Sequence, residues 1–323
     1  MARAFASQAD MAEKRITFSR LSEHAYAFTA EGDPNTGIVV GDDAVLVVDA
    51  QATPKMAEQV IERIRTVTDK PIRYVVLSNY HALRVLGASG YNPEHIVCSE
   101  ATREMIVERG AQDYKLEVQR LPHLFQTADT IPGLTWPTMT FNDRMTLWLG
   151  KLQVDIVHAG RGQTKGDTIV WLPEERTLFS GDLVGNGATP YCGDAHCKEW
   201  PATLQKLRDL RPEALVPGRG DALIGESAVE ESIAGTQEFL ADLYRVVSLS
   251  AEAGESLKDA YDKAIAALQP RYGSWAIFEH CMPFDVSRAY DEAKGLDHPR
   301  IWTVERDAEM WAALEKSGGP LAV

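Results

Sequence analysis

A strand that breaks into a polar loop constrains this chain more than any other stretch. Residues 72–77 are apolar and rich in β-branched side chains, which is the pattern of a buried strand. The loop that follows reads Ser-Asn-Tyr-His-Ala-Leu-Arg, so Asn79, His81 and Arg84 come directly after the strand. Side chains of these types after a buried strand indicate a binding or catalytic loop.

The segment before this strand completes a strand–helix–strand unit. Residues 45–48 are a short apolar run, and residues 56–67 carry apolar side chains at helical spacing after Thr53 and Pro54, an N-cap and a first helical residue. Polar loops at the carboxyl ends of such strands are a common place for ligands. The unit therefore predicts a site at that edge of the sheet.

Four further segments add small and charged residues at strand ends. They read Ala-Val-Leu-Val-Val-Asp-Ala (44–50), Gly-Gln-Thr-Lys-Gly-Asp (162–167), Leu-Phe-Ser-Gly-Asp-Leu (178–183) and Val-Pro-Gly-Arg-Gly (216–220). With the loop after residue 77, their order and spacing resemble the five motifs of the metallo-β-lactamase superfamily. The resemblance implies an α/β (α+β) fold, a four-layer αββα sandwich with ligand loops along one edge.

The sequence departs from the family pattern where metal ligands belong. Of the family's ligands only two are kept, and the other positions carry amides, an aliphatic side chain or arginines. The kept residues are His81 and Asp182, and the substitutions are Asn79, Leu83, Arg84, Gln163 and Arg219.

In the family two zinc ions activate a water molecule. The resemblance therefore implies which of the two zinc sites this chain could still form. Leu83 has no donor atom, and Arg84 and Arg219 are cations, so the second zinc site has lost its ligands. The first site keeps His81 and Asp182. The oxygen donors of Asn79 and Gln163 complete a set that implies one weakly bound zinc or other divalent ion, or no metal.

The same residues have a second interpretation that needs no metal. Arg84 and Arg219 can bind a carboxylate, sulfate or phosphate of a substrate, or they can neutralise Asp182 in a buried network. Asp49 and Asp167 are expected to support the loops, and either is a further partner for an arginine.

Roles in catalysis follow from the same set. His81 and Asp182 are the candidate metal ligands or general bases, and Asn79 and Gln163 are candidate weak ligands or oxyanion donors.

Composition excludes several kinds of partner. The 323 residues are 45% hydrophobic and 25% charged, with a net charge of −14, which argues against nucleic acid and anionic membranes. No apolar run approaches the roughly 18 residues of a membrane span, and residues 1–10 lack the apolar core of a signal peptide, so a cytoplasmic location is expected.

Three regions are predicted. Residues 1–14 form a loose N-terminal arm, 15–225 form the metallo-β-lactamase-like domain, and 226–323 form a helical extension without strand signals. Because no flexible linker precedes the extension, it is expected to pack over the site edge or to form a homodimer contact. Residues 112–137 are poorly periodic and are interpreted as an insertion of partial helix and loop near the site.

Two functions are consistent with the sequence. The first is a hydrolase of an ester, lactone, thioester or amide in a small anionic organic substrate. The rival is a metal-free binding or scaffold protein that kept the fold without the chemistry. Cys192, His196 and Cys197 resemble a partial metal-ligand cluster but are interpreted as a loop, and His280 is a candidate partner for a nucleophilic cysteine.

Overall fold

Two β-sheets form the centre of the protein. The computed structural model describes residues 6–315, so residues 1–5 of the predicted arm and residue 316 of the predicted last helix lie outside the described residues. The first sheet contains β1 (Ile16–Arg20), β2 (Ala25–Ala30), β3 (Thr36–Val40), β4 (Val45–Val48), β5 (Ile72–Val76), β6 (His95–Ser99) and β7 (Met139–Phe141), in that order. Its first four strands are antiparallel neighbours, and β4 to β7 are parallel.

The second sheet has the order β13-β12-β11-β10-β9-β8. Its strands are β8 (Arg144–Leu149), β9 (Leu152–His158), β10 (Thr168–Leu172), β11 (Thr177–Gly185), β12 (Ala214–Arg219) and β13 (Leu223–Ile224). Only the β11–β12 pair is parallel. Two parallel neighbouring strands need a crossover connection. Between β11 and β12 this connection contains one helix, α4, at residues 200–209.

Helices cover both outer faces of the sheets. They are α1 (Pro54–Ile64), α2 (Ala82–Val85), α3 (Glu100–Arg120), α4 (Trp200–Asp209), α5 (Glu226–Glu252), α6 (Leu257–Tyr272), α7 (Phe278–Ala293) and α8 (Val304–Glu315). Their starts follow local chemistry: Thr53 accepts a hydrogen bond from the Met56 amide at 3.2 Å, and Ser99 accepts one from the Thr102 amide at 3.1 Å. No helix within residues 6–315 combines the length and apolarity needed to cross a membrane.

Three apolar cores hold the four layers together. One lies between the sheets, where Leu46 and Val76 belong to the same cluster as Ile156 and Val170. A second joins the first sheet to α1, α2 and α3, and the third joins the second sheet to α4 and the C-terminal helices. This confirms the predicted αββα sandwich with a C-terminal helical region.

Several predicted elements differ from the structure. The residue types of Pro34-Asn-Thr-Gly37 predict a turn, yet Thr36 already begins β3, and the chain turns at Asp33, whose amide donates to the Ala30 carbonyl at 2.9 Å. The alternating pattern over residues 139–157 predicts two or three antiparallel strands, but these strands divide between the two sheets, because β7 pairs in parallel with β6. The helix after Ser99 runs on to Arg120, well into the segment predicted as irregular.

The two chain ends also have described contacts. Ala6–Ala9 forms a 3-10 helix, and the Gln8 side chain donates to the Gln119 carbonyl at 2.8 Å. In the C-terminal region the residue pattern predicts a helix over 284–293, whereas α7 already begins at Phe278 and contains Pro283. This earlier start brings the N-terminal end of α7 to the site edge.

Candidate functional site

The carboxyl ends of β4, β5, β11 and β12 meet at one edge of the sandwich. Asp49 follows β4 in a left-handed backbone conformation, with φ of 63°, and accepts hydrogen bonds from the amide and hydroxyl of Ser78, both at 2.8 Å. These bonds tie the loop after β5 to the end of β4. Burial raises the pKa of Asp49 to about 6, although the nearby Arg84 acts in the opposite direction.

Arg84 is fully buried at the centre of this edge and bridges the two sheets. Its Nε donates to Asp182 Oδ2 at 2.9 Å, and its Nη2 bonds to Asp182 Oδ1. Nη2 also donates to the Gly218 carbonyl at 2.7 Å, and Nη1 donates to the Asn35 carbonyl at 3.1 Å. Nη1 lies 3.8 Å from Asp49 as well. Four of its five N–H groups are thus hydrogen-bonded, and because the side chain is fully buried the fifth faces the protein interior.

This geometry corrects the prediction that Arg84 binds substrate. Both of its contacts with Asp182 belong to a buried ion pair in which the guanidinium neutralises the carboxylate, the alternative to substrate binding that the sequence left open. Burial would raise the pKa of Asp182, but Arg84 outweighs it and holds that pKa below its usual value. Asp182 also accepts a hydrogen bond from the Asn79 amide at 2.8 Å, so both of its carboxylate oxygens are hydrogen-bonded. A carboxylate with a lowered pKa and no free oxygen does not suit the role of general base.

The predicted metal ligands do not fit a metal ion. Within residues 6–315 no group of three or more His, Cys, Asp or Glu side chains is placed to hold one, and this includes the loop with Cys192, His196 and Cys197. At the superfamily position Asp182 faces the guanidinium of Arg84 instead. The Asn79 amide nitrogen is turned to Asp182, and its oxygen accepts the His81 amide at 3.0 Å. A cation bound among these groups would have to displace Arg84.

His81 is held from behind by α3. Its Nδ1 lies 3.2 Å from Asp113 Oδ1, and the other oxygen of Asp113 accepts the Ala82 amide at 2.6 Å. Burial would lower the pKa of His81, but Asp113 and the more distant Asp194 and Asp182 raise it to about 9. The ring is therefore an imidazolium at neutral pH. Its Nε2 is buried and has no hydrogen-bond partner.

A pocket opens beside His81 and is closed on one side by α7. Its cavity volume is about 50 Å³, well below the roughly 300–1,000 Å³ typical of sites for drug-sized molecules, so the pocket suits only a small ligand. Apolar side chains form much of its wall, and polar residues lie at one end. The apolar side chains are Leu83, Leu121, Val184, Ala188 and Ile277; the polar and cysteine side chains are His81, Glu117, Gln163, Asp182, Thr189, Tyr191, Arg219, His280 and Cys281.

Arg219 differs from Arg84 although both replace family histidines. It follows Gly218 at the end of β12, is 8% exposed and donates from Nη1 to the Gly32 carbonyl at 2.7 Å. No described carboxylate forms an ion pair with it. Burial, and then the positive charge of Arg84, lower the pKa of Arg219, so the charged form of this guanidinium is disfavoured where it lines the pocket.

Gln163 and Asp167 lie on the loop between β9 and β10. Asp167 accepts hydrogen bonds from the Thr164 amide at 3.0 Å and from the Thr164 hydroxyl at 2.8 Å, and these bonds fix the loop. Burial raises its pKa to about 7. Gln163 lines the pocket, and its Oε1 is buried without a partner, as is the hydroxyl of Thr189. Buried polar atoms without partners are typical of a site that binds water or a ligand.

Sequence reasoning missed the contribution of α3. Asp113 and Glu117 lie one helical turn apart on the face towards the site, inside the segment interpreted as an insertion. The missed signal was a helical spacing of polar residues, with Asp113, Glu117 and Arg120 separated by four and three positions. His280 was noted, and it does line the pocket, where burial lowers its pKa to about 3.

Comparison with known proteins decides the family. The sequence profile described as the metallo-beta-lactamase superfamily matches residues 29–219, more than half of the chain. The chain belongs to the metallo-β-lactamase superfamily. The match begins in β2 and ends at Arg219, so it contains the first four of the five motifs and all of the last motif except Gly220.

Relatives within the superfamily include β-lactamases and alkylsulfatases. The chain is 24% identical over 220 residues to the metallo-beta-lactamase type 2 of Bacillus cereus, covering 64% of this chain and 77% of that protein. It is 21% identical over 239 residues to a linear primary-alkylsulfatase of Pseudomonas sp. (strain ATCC 19151), covering 64% and 45% respectively. The chain thus spans less than half the length of that alkylsulfatase.

Solved structures show the same fold. The metallo-beta-lactamase from Pontibacter korlensis matches with a TM-score of 0.55 and 19% identity, over 69% of this chain and 99% of that one. The stereoselective inverting sec-alkylsulfatase Pisa1 from Pseudomonas sp. matches with a TM-score of 0.69 and 15% identity, over 86% of this chain and 50% of that one. A share of 86% requires part of residues 226–323, so the likeness to the alkylsulfatase extends into the C-terminal helices.

Proposed function

We propose that this member of the superfamily binds a small organic anion with an apolar part, and that it does so without a metal ion. The observation that carries the proposal is Arg219, an almost buried guanidinium at the wall of the pocket that forms no ion pair with a carboxylate of residues 6–315. A charge in that position is costly unless a counter-ion reaches it, and a carboxylate or sulfate of a ligand would supply one.

Two further features support an anion at this end of the pocket. The carboxylate of Asp113 raises the pKa of His81 to about 9, and its Nε2 has no hydrogen-bond partner in the part of the chain that the structure describes. Gln163 and Thr189 add buried polar atoms without partners. The His81 Nε2–H and the Thr189 hydroxyl can donate to the oxygens of an anion, whereas Gln163 Oε1 can only accept a hydrogen bond, for example from a water molecule. Hydrogen bonds to ionised groups are stronger than those between neutral groups.

The rest of the pocket favours an apolar portion of the ligand. Leu83, Leu121 and Ile277 line it, and Leu83 replaces a polar ligand of the family. The alkylsulfatase relatives support this ligand class, since their names denote sulfate esters with an alkyl chain. A short alkyl carboxylate or alkyl sulfate has the required shape, with charge at one end and carbon at the other.

Thermal unfolding in the presence of EDTA tests the anion site. Hexanoate and hexyl sulfate should raise the melting temperature of the protein, and the neutral hexanol should not. Arg219→Met should abolish the rise. Arg245→Met is the matched control, because Arg245 is an exposed arginine on α5 paired only with Asp242 of the same helix. An equal rise with hexanol, or an unchanged response of Arg219→Met, would refute the proposal.

Hydrolysis of an anionic ester is a second candidate function, favoured by the His81–Asp113 pair. A histidine whose Nδ1 is held by a carboxylate presents Nε2 in a fixed orientation, as in many acid–base catalysts. Because the pKa of His81 is about 9, the ring acts as a proton donor at neutral pH. It would give its proton to a leaving alcohol, a role in which no metal takes part.

A further inference from the structure

Gln163 and Thr189 are buried polar residues at the wall of the pocket. Gln163 is 1% exposed and Thr189 is 2% exposed, and both line the cavity that Arg219 also lines. Among residues 6–315 no group forms a hydrogen bond with Oε1 of Gln163 or with the hydroxyl of Thr189. Most buried polar atoms of folded proteins are hydrogen-bonded, so two such atoms on one pocket indicate a ligand that supplies their partners.

The two atoms differ in what they need from that ligand. The Thr189 hydroxyl can donate or accept a hydrogen bond, so many polar groups would satisfy it. Oε1 of Gln163 is a carbonyl oxygen that can only accept, so its partner must carry an O–H or N–H group. An ionised carboxylate has acceptors alone. An anion bound to Arg219 therefore needs a second, donating group to satisfy Gln163.

The main chain around Gln163 is held on both sides. The Gly162 amide donates to the Thr164 carbonyl at 2.9 Å, and the Gly162 carbonyl accepts the His196 amide at 2.8 Å. On the other side the amide and hydroxyl of Thr164 donate to Asp167 at 3.0 and 2.8 Å. Gln163 thus reaches the pocket from a preorganised loop, which sharpens the choice between ligands with and without the matching group.

A hydroxyl suits this position better than an ammonium group. The carboxylates of the pocket wall already have cations of the protein as partners: Asp182 is paired with Arg84. Glu117 is paired with Arg120, at 3.1 Å. A ligand ammonium would share the small pocket with Arg219, which carries the same sign of charge. A hydroxyl donates a hydrogen bond without adding charge.

We propose that the ligand of this pocket is a hydroxy acid, whose anionic group binds Arg219 and whose hydroxyl donates to Gln163 Oε1. The inference rests on the proposed anion site and adds the donor that the ligand must carry. In the free protein a water molecule can donate to Gln163 Oε1. A ligand that displaces such a water loses affinity unless it replaces the hydrogen bond, which a hydroxyl does and a plain carbon chain does not.

Calorimetric titration of the full chain in EDTA tests this with four acids of equal carbon number: hexanoate, 2-hydroxyhexanoate, 3-hydroxyhexanoate and 2-oxohexanoate. At least one hydroxy acid should bind about tenfold more tightly than hexanoate, because it supplies the partner of a buried acceptor. 2-Oxohexanoate should not share the gain, since its keto oxygen cannot donate. Gln163→Met should remove the gain and keep the Kd of hexanoate within about threefold.

Gln205→Met is the matched control, because Gln205 is an exposed glutamine on α4 whose amide donates to Asp209 of the same helix at 2.9 Å. It should keep the gain of the hydroxy acid. The four acids are compared first on the wild type, so the test does not depend on the folding of a variant.

Three results would overturn the hydroxyl contact and leave the anion site standing, provided that hexanoate binds. They are hydroxy acids that bind no more tightly than hexanoate, an equal gain with 2-oxohexanoate, and a gain that survives Gln163→Met. If none of the four acids binds, the anion site has failed and the hydroxy-acid inference fails with it.

Discussion

Arg84 and Arg219 occupy neighbouring ligand positions of the superfamily, yet their removal should have opposite consequences. Arg84→Met leaves Asp182 and Asp49 buried without their cation. Breaking a buried ion pair from one side costs about 3–5 kcal/mol, and Arg84 makes four hydrogen bonds besides its contact with Asp49. We therefore expect Arg84→Met to lower the free energy of unfolding at pH 7 by about that amount.

Arg219→Met removes a cation that has no carboxylate partner and is repelled by Arg84. The variant loses one bond to the Gly32 carbonyl, worth about 1 kcal/mol, and is relieved of an unpaired buried charge. We expect the free energy of unfolding to change by less than about 1 kcal/mol. The two variants thus differ in stability although both exchange an arginine for methionine.

Urea unfolding followed by circular dichroism measures both variants. The cost of Arg84→Met should also shrink as the pH falls from 7 towards 4, because Asp182 without Arg84 binds a proton and no longer needs a partner. In the wild type the stabilising contribution of Asp182 is present above its ordinary pKa of 3.8 and is lost below it. Equal losses for the two arginines, or a loss below about 1 kcal/mol for Arg84→Met, would refute the assignment of Arg84 as the buried bridge.

Two further predictions concern the histidine and the metal ligands. Protonated His81 should add about 3 kcal/mol to the free energy of unfolding below its unfolded pKa of 6.5, and this contribution should be lost as the pH rises to about 9. Unfolding measurements over pH 6–10 test this. If Asp113→Asn shows the same pH dependence as the wild type, the prediction is wrong. The double variant Asn79→His, Gln163→His should bind no zinc, because Arg84 still occupies Asp182, whereas the triple variant with Arg84→His should bind it. Elemental analysis after dialysis against zinc measures this, and zinc in the double variant would contradict the prediction.

Much of the fold could be predicted from the sequence because local signals agreed with tertiary packing. The buried strands β4 and β5 and the Thr53 cap of α1 were read correctly from apolar runs and capping residues. The α3 helix was underestimated because its apolar pattern is weak and many of its side chains face polar partners. Asp113 and Arg120 are examples, since their partners lie on distant segments of the chain.

The site was predicted less completely, for a physical reason. The motifs located the residues at the sheet edge, but not the direction of each side chain. Arg84 and Arg219 both replace a family histidine, so the sequence does not distinguish them. The structure does, because Arg84 is hydrogen-bonded to the Asn35 and Gly218 carbonyls as well as to Asp182. Likewise the partner of His81 lies 32 positions away, a pairing that no local pattern contains.

Isothermal titration calorimetry tests the central claim most directly. The protein would be dialysed against EDTA and titrated with hexanoate, once in the chelator and once after addition of zinc. We expect saturable one-to-one binding of the same affinity in both titrations, since Arg219 and His81 supply the positive charge. Binding that appears only after zinc is added would contradict the account.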